Sequence, residues 1–123
     1  MNLPVLLQIA ETVVNTTRRE LPPPVQELAA ELPVAFHTVP TPEILDDEFE
    51  PDILGLFVGA PHGEAHGDAN DVPAQIHLFV QNIWDFAQAE NATFEDEVSI
   101  TYLHELGHYL GWDEDDLEDR GLD

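Results

Sequence analysis

The chain has no cysteine and no lysine. Without cysteine there are no disulfides, no thiolate metal ligands and no cysteine nucleophile. Positive charge is nearly missing too, with three arginines against 26 acidic residues and a net charge of −23. A phosphate backbone needs a basic surface, so nucleic-acid binding is not expected. Docking onto an anionic membrane is disfavoured for the same reason. No apolar run approaches the ~20 residues of a membrane-spanning helix. The N-terminus lacks a basic stretch, and Glu11 interrupts its apolar residues. No signal peptide is therefore expected, and the chain reads as a cytoplasmic protein.

What remains suits one folded domain over residues 1–123, with 43% apolar residues and a core burying about two thirds of the unfolded surface. The acid is unevenly spread. Residues 43–123 hold 22 acids and one arginine, whereas residues 1–42 hold four acids and two arginines.

Leu6, Ile9, Val13 and Val14 recur at helical spacing and predict an N-terminal helix within 1–21, with Asn2 as cap and Pro4 in the first turn. Pro22-Pro23-Pro24 ends it, and Pro24–Leu32 reads as a short second helix. Strands are expected at Val34–Val39, Ile53–Gly59 and Ala74–Val80, with a long Gly- and His-rich turn between the second and third. A helix follows at Asn82–Glu90, with Trp84, Phe86 and Phe79 expected in the core. Thr93 then opens a longer helix, ended by Gly111, over 93–111. Residues 112–123 form an acidic tail. Helices, three strands, then helices give an α+β fold.

The longer helix carries His104-Glu105-Leu106-Gly107-His108. Residues four apart share one helix face, so both imidazoles can reach one ion. Glu105, one step round the helix, is placed to address a water rather than to ligate. A catalytic zinc site takes three protein ligands and keeps one position open. Gly111 lets the chain turn back, bringing Glu114 toward the ion; Asp113, Asp115 and Glu118 are the alternatives. The bland alternative is two histidines on a solvated helix face.

The pattern His104-Glu105-x-x-His108-x-x-Gly111-x-x-Glu114 resembles the extended zinc sequence of the metzincin peptidases, with Glu114 in place of their third histidine. Their Met-containing turn has no counterpart, since Met1 is the only methionine. The chain is more similar to the small single-domain bacterial zincin-like metallopeptidases, which keep H-E-x-[GA]-H-x-x-G-x-x-[DE] near the C-terminus. The likeness runs loosely from about Leu21 onward. It implies a minimal zincin-like domain, with a small three-stranded sheet packed on the active-site helix and N-terminal helices. It also implies one Zn2+ on His104, His108 and Glu114, with Glu105 as general base for peptide-bond hydrolysis. Such small domains lack one wall of the larger zincins' cleft, so a homo-oligomer or protein partner completing it is expected. A catalytically silent metal-binding or regulatory module is the alternative.

The net charge favours basic peptide substrates. Tyr102 and Tyr109 are candidate oxyanion donors but read first as packing residues. A substrate peptide could add to the edge of the second or third strand. His62, Glu64, His66 and Asp68 sit in a Gly-rich turn and read as a polar loop before a second metal site. His37 and His77 fall in strands and read as packed or rim residues.

Overall fold

The computed structural model describes residues 2–45, 50–59 and 73–111. The expected turn after the second strand, the acidic tail and the Asp46-Asp47-Glu48 run lie outside the described residues.

Helix α1 spans Leu3–Arg19. The Asn2 side chain caps it by accepting from the Val5 N–H at 3.0 Å, which satisfies one of the orphan donors of a helix start. Helix α2 covers Pro23–Ala30 and the short helix α3 covers Pro42–Leu45. Three strands follow the expected order, β1 at Val34–His37, β2 at Gly55–Val58 and β3 at Gln75–Phe79. Helix α4 is Val80–Ala89, and α5 is Phe94–Tyr109. The fold is α+β with a mixed sheet.

Sheet order is β1-β3-β2. The central β3 runs parallel to β1, from Val34 opposite Ile76 to His37 opposite Phe79. It runs antiparallel to β2, from Gly55 opposite Leu78 to Val58 opposite Gln75. Alternation along the strands sorts side chains between two faces. Ile76 and Leu78, both fully buried, face the core with Val34, Phe36 and Phe57. His77, His37, Leu56 and Val58 share the other face by register. β3 has a neighbour on each side, so among the described residues the edges are β1 and β2. That removes Ala74–Val80 as a strand that could receive a peptide.

The third strand was expected to continue to Val80 and the next helix to begin at Asn82. Instead α4 begins at Val80, directly after β3. Val80 is fully buried and satisfies the core equally well from a helix. The Gln81 N–H is taken by the Thr38 carbonyl at the end of β1, so the junction needs no connecting loop.

Helix α5 packs on α1, α4 and the sheet. Its buried line is Phe94, Val98, Thr101, Tyr102, Glu105, Leu106 and Tyr109. Leu103 and Leu110 are only partly buried but pack against this core from its margin. Tyr102 is fully buried. Its hydroxyl accepts from Arg18 Nε at 3.0 Å, while Arg18 Nη2 donates to the Leu32 carbonyl at 2.7 Å. This one arginine therefore joins α1, α5 and the chain entering β1. Burial pushes the Tyr102 hydroxyl above the ordinary tyrosine range, and the hydrogen bond and charge of Arg18 partly offset that.

Candidate metal centre

Two local features fix α5. Thr93 caps it by accepting from the Asp96 N–H at 3.2 Å, and Glu95, Asp96 and Glu97 place negative charge on its positive end. At the other end Gly111 has φ +76°, a left-handed conformation that glycine adopts without the usual Cβ clash. The expected stop is therefore present.

The two histidines of α5 converge. Their Nε2 atoms are 3.2 Å apart and their ring centroids 4.7 Å apart, at an interplanar angle of 85°. Two nitrogens bound tetrahedrally to one zinc at 2.0–2.1 Å lie about 3.3 Å from each other. The observed separation fits such a ligand pair, and it is equally the distance of a hydrogen bond between the two rings. His104 is half-buried and His108 exposed, so the pair opens outward. A carboxylate oxygen of Glu105 completes a group whose ligand atoms all lie within 4.8 Å of one another.

Glu105 is 8% exposed. Its Oε1 accepts from the backbone N–H of Phe57 on β2 at 3.1 Å. Along an antiparallel edge strand, alternate residues point their backbone groups away from the partner strand. Leu54 gives its carbonyl to Phe79 on β3 at 3.0 Å, which leaves the next residues of odd number directed outward. The Phe57 N–H is one of these, and it meets the helix carboxylate. Close packing of β2 on α5 makes this possible. A Cβ added to Gly55 would stand 2.8 Å from Thr101 Cγ2 and 3.2 Å from Leu78 Cδ2, so a larger residue would force the strand off the helix. The sequence signal was a lone glycine inside an apolar strand; the Phe57 contact had none, because it is made by backbone.

The third-ligand candidates Glu114, Asp113, Asp115 and Glu118 lie outside the described residues, as do His62, Glu64, His66 and Asp68. Tyr102 has its hydroxyl on Arg18 in the core and cannot face the metal pair, which removes it as an oxyanion donor. Tyr109 is 8% exposed, with its ring 5.8 Å from that of Phe57.

Beside His104 and Glu105 opens a hollow of about 400 Å³, walled by Ile53, Leu54, Gly55, Phe86, Ile100 and Thr101, with Glu97 at its border. Phe86, expected in the core, is 40% exposed. Val80, Ile83 and Ala87 form the buried stripe of α4, and Phe86 lies on the flank of that stripe, over the hollow.

His37 and His77 lie on neighbouring strands with Nε2 of the first 2.7 Å from Nδ1 of the second. Their rings stack at 4.9 Å, which agrees with the expected packed or rim role. Burial, and secondarily the neighbouring His37, lower the His77 pKa.

No helix among the described residues is long and apolar enough to cross a membrane. The sequence pattern of a family described as zincin-like metallopeptidase matches residues 29–122. No curated protein matches the chain.

Proposed function

Because the chain belongs to the zincin-like metallopeptidase family, we propose that it is a zinc-dependent peptidase whose active site is built on α5. The ligands are His104, His108 and Glu114, and the general base is Glu105. One observation carries the reading: the 3.2 Å separation of the two Nε2 atoms is the spacing that tetrahedral zinc requires.

Zinc held there supplies a bound water of lowered pKa and a Lewis acid for the scissile carbonyl. The residues of the chain do the rest. Glu105 accepts the proton of the attacking water and returns it to the departing amine. Its carboxylate is held in place by the Phe57 N–H, so little reorganisation is needed when the proton moves. Edge strand β2 lies next to this carboxylate and offers the outward backbone groups of Gly55, which Glu105 does not take, to an extended peptide. The substrate is a peptide or protein.

The test is Glu105→Gln. Hydrolysis of an unstructured protein such as casein should fall about 100- to 10,000-fold, with stoichiometric zinc retained by elemental analysis. His104→Ala and His108→Ala should instead lose the metal. Full turnover by the Gln variant, or wild-type protein free of zinc at neutral pH, overturns the proposal.

A further inference from the structure

The hollow beside His104 and Glu105 is not needed to hold metal or to move a proton, yet it is shaped and coloured in a definite way. Its near end is formed by His104, Glu105 and the start of β2. Glu97 stands two helical turns earlier on α5, about 10 Å along the axis. Apart from Thr101 and Gly55 the rest of the lining is apolar, from Ile53, Leu54, Phe86 and Ile100. Phe86 and Ile100 are 40% and 42% exposed, an unusual exposure for two large apolar side chains facing one depression. The described arginines are engaged on α1, Arg18 with Tyr102 and Leu32 and Arg19 with the Asn15 carbonyl. With no lysine in the sequence, the molecule has little cation of its own to offer Glu97.

We propose that this hollow is the specificity pocket for a substrate arginine or lysine flanking the scissile bond. The inference rests on the peptidase reading above. An aliphatic stem lies on Ile53, Leu54 and Ile100, and the cationic head reaches the Glu97 carboxylate and the Phe86 ring. Long basic side chains bury their methylenes on apolar surface while keeping the head at a charge. A guanidinium or ammonium is attracted both to a carboxylate and to an aromatic face. Short side chains entering at the catalytic end do not span the distance to Glu97. Acidic ones meet a like charge. The −23 net charge draws basic peptides toward the surface, and the hollow selects which residue sits next to the cleaved bond.

The experiment measures binding without turnover. Two blocked amino acids, N-acetyl-arginine methylamide and the uncharged N-acetyl-norleucine methylamide, are titrated into isotope-labelled protein, and amide shifts are followed by NMR. Saturable shifts at Ile53, Gly55, Phe86 and Ile100 are expected with the arginine probe, with affinity about fivefold above norleucine. Glu97→Gln should remove most of that difference, whereas Glu27→Gln on α2 should leave it unchanged. Equal affinity for the two probes, or shifts spread over the acidic surface with no focus on the hollow, overturns the assignment. In parallel, a mixture of quenched fluorescent peptides is cleaved by zinc-loaded protein. Cleavage without a preference for arginine or lysine beside the bond refutes the pocket while leaving the peptidase reading intact. Absence of zinc or cleavage refutes that reading while the binding titration still decides the pocket.

Discussion

His104, Glu105 and His108 were legible because a four-residue spacing on a helix is a geometric statement, and the converging rings carry it out. The partner of Glu105 was not legible, since an amide N–H leaves no mark in the side-chain sequence. Neither was the meeting of His37 with His77, which depends on how two strands pair 40 residues apart. That pair makes a prediction. The lowered His77 pKa means that the folded chain resists a proton that the unfolded chain accepts. The share of stability that depends on His77 is then fully present above pH 6.5 and falls as pH drops through 6.5 toward the folded value. Melting temperatures measured above and below pH 6.5 should fall on acidification, and fall less in His77→Gln. An equal fall in both proteins would remove the pair as a source of the effect.

Helix and strand identities followed from apolar spacing, but their junctions did not. Val80 reads as a strand residue by its β-branched character, yet it opens a helix because the core accepts it in either state and β1 supplies the missing acceptor. The core position assigned to Phe86 failed for a related reason: on a ten-residue helix, periodicity places a residue near the buried stripe without saying whether a neighbour covers it. Between β2 and α5 the approach is close enough to test. Gly55→Ala relieves the entropic cost of glycine in a strand but drives a methyl group into Thr101. The clash should dominate, destabilising the protein by about 1–3 kcal/mol in chemical denaturation. The same displacement should weaken hydrolysis by moving Phe57 away from Glu105. A neutral or stabilising outcome would show that β2 is not pinned there.

At the scale of the molecule, a charge of −23 works against compactness by self-repulsion. Sodium chloride should therefore raise the melting temperature through screening. Zinc should stabilise the fold by a separate route, about 2.7 kcal/mol at a free concentration one hundred times its dissociation constant, and a chelator should reverse this. The two routes part at high salt, where diffuse attraction of cations is screened and a ligated ion is not. Zinc should then still stabilise while magnesium does not. Equal effects of the two metals would reduce the centre to a patch of negative potential.

The contact between Glu105 and the Phe57 amide also makes that amide a built-in gauge of the carboxylate. While the bond persists, its hydrogen is shielded from deuterium. A proton placed on the carboxylate weakens the grip, and an amide put in its place must turn its oxygen to the strand to restore it. The protection of this one backbone position, its isotope-uptake rate set against that of an unstructured amide at the same pH, should follow the state of the Glu105 carboxylate in a protein that has been given nothing to cut.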